Sequence, residues 1–589
     1  MNKEKNKTLK ETFALAVQNF QSKDFKAAEL LCRKILSIDN NHFDSTFLLA
    51  NLQVIDRNFQ EAKKLLLKAN KIYPNNVAVN NNLGNAHMAL NELDKAKSFY
   101  EKTLQVDPNN TNAHYNLGIV FYKLKEIKKA KSYLQKTTEM QPNFAAAFFN
   151  LGNVNVELKE FENAISSYQK AIEMRPDFVG AHNNLGLVYR GLNDFENAIS
   201  SYKKSIQINP EHAASYHNLA LAFKEIGDFA EAIKSHEMAI KYEPENLTHI
   251  YYLSELKKDI LNLELKDKIK QIIKTNKSTK RNIAYGNYLL AKYERKIKNH
   301  KQELDYLIKG HDLFFESKKE KFELGIKYCF EDVLQISKNA TVSNSGDPKK
   351  YEVKPIFIIG VPRCGSTLIE KIVASGKNLI PMGEETAVFE NFINKKIIDR
   401  NSTQVGDVQD IRNELNDLYK MKGLISEKFN NVFTDKSLNN FFYLNLIKEI
   451  YPNAKIIDCR RNPLSSIMSI FQNNLTELAW THNLENIFKY FNNYFEIVRN
   501  FKRNNSDFIY ELQFEKFVQN PEEESKKIMK FCELPWDVKC LEFYKRKDLI
   551  SKTASNIQVR EAIYKHSIEK YLPYKVFLNR FSNSYSWFN

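Results

Sequence analysis

Residues 355–373 read PIFIIGVPRCGSTLIEKIV, and this stretch decides the fold of the C-terminal part of the chain. The short apolar run predicts a buried parallel strand, and the pattern from residue 368 onward predicts a helix. A glycine loop, Gly360 to Gly365, connects them. Its free N–H groups and the dipole of the helix favour an anion. The sequence therefore predicts an α/β domain with a central parallel sheet and a phosphate-like ligand at the loop.

The loop has the glycine spacing of a Walker A motif but lacks its lysine. Ser366 stands directly after Gly365, where that lysine belongs, and the basic residue is Arg363 instead. This departure argues against a nucleotide kinase, which we keep as one alternative.

A second strand and loop follow further along the chain. Residues 454–459 read AKIIDC, and residues 460–469 read RRNPLSSIMS. Arg461 stands at the strand end, and Ser469 follows eight residues later, about two helical turns away. This spacing resembles the 3'-phosphate motif of sulfotransferases, in which the arginine and the serine grip one phosphate. Together with the glycine loop, the resemblance implies a ligand with two separated phosphates.

Both motifs resemble those of the sulfotransferase family. VPRCGSTL resembles its 5'-phosphosulfate loop, and the Arg461–Ser469 pair resembles its 3'-phosphate motif. Three more segments resemble the tyrosylprotein sulfotransferase branch and its bacterial relatives: MGEET at 382–386, FTDKS at 433–437, and TASNIQVR at 553–560 followed by SIEKY at 567–571. The resemblance covers roughly residues 354–575. Cys364 and Ser366 depart from it conservatively, and Phe514 stands where relatives carry a tyrosine.

The resemblance implies 3'-phosphoadenosine-5'-phosphosulfate (PAPS) as donor, an acceptor hydroxyl, and no metal. Glu385 would be the catalytic base. Lys436 would neutralise the departing phosphate, and Ser555 would assist at the sulfuryl group. The donor would be held by the following residues: Arg363, Cys364, Gly365, Ser366, Thr367, Arg461, Ser469 and Lys570.

The N-terminal half repeats every 34 residues. Proline marks the period at Pro74, Pro108, Pro142, Pro176, Pro210 and Pro244, and glycine or alanine recurs in two further registers. The period resembles the tetratricopeptide repeat, over roughly residues 10–246. It implies about seven helix–turn–helix units in an all-α superhelix whose groove binds protein.

One register of the repeat carries asparagine in five consecutive units: Asn82, Asn116, Asn150, Asn184 and Asn218. Amide side chains in a row can pair with an extended peptide backbone whatever its side chains. A similar ladder holds substrate polypeptide in the protein O-GlcNAc transferase family. The alternative is that these asparagines serve helix packing.

These patterns predict three parts: a repeat array over 1–246, a helical extension over 247–345, and a sulfotransferase domain over 350–589. Lys plus Arg number 87 against 71 Asp plus Glu, a net charge of +16 that favours anionic ligands, but no nucleic-acid motif accompanies it. Six scattered cysteines, no apolar leader and no membrane span predict a cytoplasmic protein.

The acceptor is left open by the sequence. A polypeptide, at a tyrosine hydroxyl, is favoured by the repeat groove and by the MGEET segment. A glycan, a lipid or a small alcohol is the alternative, as is a scaffold whose transferase domain is inactive.

Overall fold

The computed structural model describes residues 2–275, 278–343, 353–377, 379–400, 403–425, 431–546, 553, 555–563 and 569–588. Its contacts divide the chain into two compact units, Met1–Leu219 and Ala220–Asn589. The predicted start of the α/β domain at 350 lies outside the described residues. Within the described part of the chain, no helix has the length and apolar character needed to cross a bilayer.

The first unit consists of antiparallel helix pairs. Two first helices of a pair begin directly after an asparagine N-cap, Asn76 and Asn110, and the side chain of Asn76 accepts from the N–H of Val79 at 3.0 Å. The helices are α1 (Asn2–Gln21), α2 (Phe25–Ile38), α3 (Phe43–Ile55), α4 (Phe59–Ile72), α5 (Val77–Ala89), α6 (Leu93–Val106), α7 (Thr111–Lys123), α8 (Ile127–Met140), α9 (Ala145–Glu157), α10 (Phe161–Met174), α11 (Val179–Gly191) and α12 (Phe195–Ile208). Helix α13 (Ala213–Ile226) crosses the division between the units.

The recurring glycine explains how the two helices of a pair approach so closely. In three repeats a tyrosine ring of the second helix lies against a glycine of the first, and a Cβ at Gly152 would lie 2.5 Å from the ring of Tyr168. Gly84 and Gly186 meet Tyr100 and Tyr202 in the same way. Each of these three repeats therefore has its own interior contact, set by two positions of its sequence.

Helices continue through the first part of the second unit: α14 (Phe229–Tyr242), α15 (Leu247–Leu256), α16 (Leu263–Lys274), α17 (Lys280–Lys296), α18 (His300–Ser317), α19 (Lys319–Lys327) and α20 (Val333–Asn339). Their apolar faces join the same hydrophobic core as the strands that follow.

A five-stranded parallel sheet forms the centre of the second unit. Its strands are β2 (Lys354–Ile359), β3 (Met382–Glu384), β5 (Val432–Lys436), β6 (Lys455–Arg460) and β7 (Ile509–Gln513), in the order β3-β5-β2-β6-β7. Strands β1 (Thr341–Ser343) and β4 (Gln404–Asp407) pair separately. The other helices are α21 (Ser366–Ala374), α22 (Val388–Arg400), α23 (Val408–Met421), α24 (Leu444–Ile450), α25 (Pro463–Phe471), α26 (Leu484–Asn504), α27 (Phe514–Gln519), α28 (Pro521–Phe531) and α29 (Lys575–Leu578).

The predicted fold class, an all-α repeat array followed by an α/β domain with a parallel sheet, is thus confirmed. Because the strands are parallel, their carboxyl ends meet at one edge of the sheet. The glycine loop, the MGEET segment, Lys436 and the Arg460–Arg461 pair all follow or end these strands, so the topology brings them to that edge.

Candidate functional site

The glycine loop joins β2 to α21 in the predicted strand, loop and helix order. Gly365 has a φ of 102° and precedes the first residue of the helix. A Cβ at Gly365 would also lie 2.4 Å from the ring of Phe514. Glycine is therefore required here twice, by the left-handed backbone and by the close approach of the ring.

Arg363 connects three separate segments of the chain. Its Nε donates to Ser469 Oγ at 3.0 Å, Nη1 to Ser555 Oγ at 2.8 Å, and Nη2 to Gln558 Oε1 at 3.0 Å. The guanidinium is thus held in one orientation by α25 and by the 555–560 segment. Ser469 and Ser555, which are predicted to hold or assist the donor, therefore both accept hydrogen bonds from the side chain of Arg363.

Arg460 and Arg461 are adjacent in sequence but serve different environments. Nη1 of Arg461 donates to the carbonyl oxygen of Arg363 at 3.1 Å, and its guanidinium lies 5.3 Å from the centroid of the Phe514 ring. Arg460 instead donates to Asp458 at 2.7 Å and pairs with Glu511 at 3.6 Å. Arg461 therefore faces the glycine loop, whereas Arg460 is neutralised within the domain.

A cavity lies between these segments, and most of the predicted donor residues line it. Partial burial, together with the positive charges of Arg461 and Arg363, holds the pKa of Lys570 below its ordinary value. The described lining residues are Arg363, Gly365, Leu368, Arg461, Ser469, Phe514, Val518, Ser555, Gln558, Val559, Glu561, Ala562, Ile563 and Lys570. Three cations and one carboxylate thus converge on a partly enclosed space, an arrangement that suits an anionic ligand with an apolar portion.

The predicted base and electrophile form an ion pair at the ends of neighbouring strands. Nζ of Lys436 lies 3.3 Å from Oε1 of Glu385, and the two side chains are 5% and 59% exposed. Burial by itself would lower the pKa of Lys436, but the carboxylates of Glu385, Glu370 and Glu384 outweigh it, so the pKa is raised. Lys436 therefore carries its charge in a buried position, while Glu385 is open to solvent.

Buried polar contacts hold this pair in place. Ser437 Oγ donates to Asp435 at 2.6 Å and accepts from the N–H of Ala387 at 2.8 Å, which joins β5 to the loop that carries Glu385. On the other side, Thr434 Oγ1 donates to Glu370 at 2.7 Å. Burial raises the pKa of Glu370 to about 7.

The described lining of the cavity does not include Glu385 or Lys436. The structure thus groups these predicted site residues in two sets at one sheet edge: the donor-type residues around the cavity, and the ion pair formed by Glu385, directly after β3, and Lys436 at the end of β5.

Three loop residues lie elsewhere than at the cavity wall. The thiol of Cys364 is fully buried, and a hydrogen bond with the Cys459 thiol lowers its pKa. Only the backbone of Cys364 is thus left for a ligand. Thr367 Oγ1 lies 3.5 Å from Thr553 Oγ1, and Ser366 is half-buried at the start of α21.

The asparagine ladder of the first unit links neighbouring repeats. Each member is half-buried and donates from Nδ2 to a side chain at least 31 residues earlier: Asn82 to Asn51, Asn116 to Asn85, Asn150 to Tyr115, Asn184 to Asn153, and Asn218 to Asn183. The distances are 2.8 to 3.1 Å. Among the described contacts, Asn184 is the one whose carbonyl oxygen accepts a protein hydrogen bond, from Asn183. Packing thus occupies much of the ladder's donor capacity.

Sequence reasoning passed over Gln558 and Arg560, although both lie in the quoted TASNIQVR segment. Gln558 holds Arg363, and Arg560 reaches the end of α13. Gln558 and Arg560 follow no recognisable motif or spacing. Their closeness in sequence to Ser555 is the one signal that could have indicated them.

Comparison with known families agrees with the two-part organisation. Residues 355–538 match the model described as "Sulfotransferase family". Tetratricopeptide repeat models match 53–103, 84–125, 111–144, 152–192 and 178–242. The chain therefore carries a sulfotransferase-family domain together with several tetratricopeptide repeats.

Three individual proteins that resemble this chain share 30% sequence identity with it or less. A protein of Aquifex aeolicus (strain VF5) named "Uncharacterized protein" is 28% identical over 311 residues, which cover 50% of this chain and 40% of that protein. This chain thus spans well under half of the relative that it matches. Among solved structures, MamA is 30% identical with a TM-score of 0.27, covering 28% of this chain and 95% of its own. YrrB, titled "a TPR protein with an unusual peptide-binding site", is 25% identical with a TM-score of 0.28, covering 32% and 96%.

Proposed function

We propose that the sulfotransferase-family domain of this chain transfers a sulfuryl group from PAPS to an acceptor hydroxyl. The observation that carries the proposal is the convergence of Arg363, Arg461 and Lys570 on one cavity. Burial and the like charges of Arg461 and Arg363 lower the pKa of Lys570, and an anionic ligand would relieve the repulsion among these cations. The cavity also offers the ring of Phe514 to an aromatic base.

Different residues around the cavity would bind different parts of the donor. Arg363 and the loop N–H groups would hold the 5'-phosphosulfate, and Arg461 with Ser469 the 3'-phosphate. Lys570 would meet the nucleotide as a third cation. The phenyl ring of Phe514 can stack but cannot donate a hydrogen bond.

The ion pair would carry out the transfer. The acceptor oxygen forms a bond to sulfur while the bond from sulfur to the 5'-phosphate oxygen breaks, and the acceptor proton passes to the Glu385 carboxylate. Lys436 would stabilise the negative charge on the departing phosphate, with Ser555 at the sulfuryl group. The exposure of Glu385 lets an acceptor arrive from solvent.

For the acceptor we propose a hydroxyl of a polypeptide, with tyrosine favoured by the MGEET segment. Since the ladder amides already donate between repeats, a bound peptide would be recognised through their carbonyl oxygens, at Asn82 and Asn116 for example. We place the protein in the cytoplasm, because all six cysteines are buried thiols outside disulfides.

The test is thermal stabilisation of the full-length protein by the product 3'-phosphoadenosine-5'-phosphate (PAP) against ATP with Mg²⁺. At a hundredfold excess over Kd, PAP should add about 2.7 kcal/mol to the free energy of unfolding. Arg461→Ala should abolish this gain. The matched control is Arg460→Ala, which removes the neighbouring arginine without touching the cavity. Stabilisation by ATP alone would indicate a kinase, and stabilisation by neither nucleotide would indicate an inactive scaffold.

A further inference from the structure

Arg560 ties the segment that carries Ser555 to the end of helix α13. Its Nη2 donates to the carbonyl oxygen of Glu225 at 2.9 Å, and its Nε donates to Asn556 Oδ1 at 3.3 Å. Nδ2 of Asn556, a buried residue, approaches the same carbonyl oxygen at 3.5 Å. One carbonyl group at the end of a helix thus receives two side chains of the 555–560 segment.

The turn after α13 is shaped to admit the guanidinium. Gly227 has a φ of 89°, and a Cβ there would lie 2.4 Å from Cζ and 2.5 Å from Nη1 of Arg560. Any other residue at 227 would therefore collide with Arg560 as well as strain the backbone. The match indicates that glycine is needed here for the contact and not only for the turn.

The opposite side of the same segment faces the donor cavity. Ser555 and Gln558 accept hydrogen bonds from Arg363, and both line the cavity, whereas the described lining does not include Arg560. The segment is a tight turn, in which the N–H of Val559 donates to the carbonyl oxygen of Ser555 at 3.0 Å. Fixing Asn556 and Arg560 therefore fixes the two residues that orient Arg363.

We propose that Arg560 is a positioning residue for the donor site: by binding Glu225 beside Gly227, it holds Ser555 and Gln558 where they aim Arg363 at the donor. This inference rests on the proposed function. Its consequence is that the donor site depends on a helix outside the α/β domain, because α13 lies within the tetratricopeptide match over 178–242.

Charge alone offers a competing explanation for Arg560. The carboxylate of Glu384 acts on its guanidinium electrostatically, and Glu384 is next to the proposed base. Arg560→Lys separates the two explanations, because lysine keeps the charge but cannot reach Glu225 and Asn556 together through a planar fork. Positioning predicts that Arg560→Lys behaves like Arg560→Ala, whereas an effect of charge predicts that lysine restores wild-type behaviour.

The experiment measures the Kd for PAP by calorimetry on full-length variants. We expect Arg560→Ala and Gly227→Ala each to raise the Kd for PAP about tenfold, because the guanidinium of Arg363 would no longer be oriented toward the phosphate. In the double variant that combines the two substitutions, the Kd should equal that of Arg560→Ala alone, since the side chain with which a Cβ at residue 227 would collide is gone. The control is Gly423→Ala, where φ is 71° and no neighbouring atom lies within 4 Å. It carries the same kind of backbone strain and should leave Kd unchanged.

Hydrogen exchange of the Ser555–Arg560 amides, measured without nucleotide, tests the positioning step separately. Arg560→Ala should speed exchange at Val559 at least tenfold, because the segment loses its anchor. The inference would be overturned if Arg560→Ala left the exchange at Val559 or the Kd for PAP unchanged. It would also be overturned if the increases in Kd of the two single variants multiplied in the double variant. Failure of the wild-type protein to bind PAP would overturn the proposed function instead, and exchange would still decide whether Arg560 fixes the segment.

Discussion

The repeat array and the α/β domain place their polar side chains in contrasting ways. In the array, asparagines at equal spacing bond to the neighbouring repeat, so their polar groups hold the helices together. In the α/β domain, Arg363, Arg461 and Lys570 come from three distant segments and meet at one cavity. The difference shows two uses of polar side chains in this chain: evenly spaced amides join neighbouring repeats, whereas cations from unrelated segments gather at one cavity.

The largest effect that this contrast predicts is loss of turnover on removing Lys436. Lys436→Met should lower kcat about 10² to 10³-fold, since the charge of Lys436 acts on the departing phosphate. Turnover with labelled PAPS measures it. Lys371→Met is the matched control, because Lys371 is also buried at 2% exposure. Equal losses in both variants would mean that burial of a lysine, rather than its position, explains the effect.

An intermediate effect should appear in the array, and on stability rather than on the donor. Gly152→Ala places a methyl group 2.5 Å from the ring of Tyr168 and should lower the free energy of unfolding by about 1 to 3 kcal/mol. Denaturant unfolding followed by circular dichroism measures this change, and the Kd for PAP should stay at the wild-type value.

The control within the same array is Gly191→Ala, because a Cβ there has no neighbour within 4 Å. Alanine in a helix gains roughly 0.5 to 1 kcal/mol over glycine. We therefore expect Gly191→Ala to raise the free energy of unfolding, whereas Gly152→Ala lowers it. Destabilisation by both substitutions would show that close packing at Gly152 is not the cause.

The smallest effect concerns pH. Partial burial and neighbouring cations lower the pKa of Lys570, and a bound phosphate would raise it again. The affinity for PAP should therefore fall, by about threefold, as pH rises through the pKa of unbound Lys570, which lies below roughly 10.4. Titration calorimetry across this range measures the slope. In Lys570→Arg the slope should flatten, because guanidinium keeps its charge. An unaltered slope would assign the titration to another group.

The sequence predicted the architecture well because its signals are local. A period of 34 residues and a strand, loop and helix in order each follow from short-range rules of backbone and burial. The choice of Arg461 over Arg460 also agrees with the cavity, although it depended on the resemblance and on the spacing to Ser469.

Contacts between remote segments were not predictable in this way. Nothing in the spacing of Cys364 indicates that its thiol lies in the interior beside Cys459. The contact of Arg560 with Glu225 joins residues 335 positions apart, and no periodic pattern connects them. Such pairs are set by tertiary packing, which a single sequence does not encode in any local window.

The glycine and tyrosine that meet inside a repeat are both supplied by that repeat, as with Gly84 and Tyr100. A unit that contains both halves of its own interior contact can be duplicated or deleted whole without redesigning its neighbours. The length of this array is consequently free to change in steps of 34 residues over evolutionary time or in the hands of a protein engineer, and the size of the surface it offers would change with it.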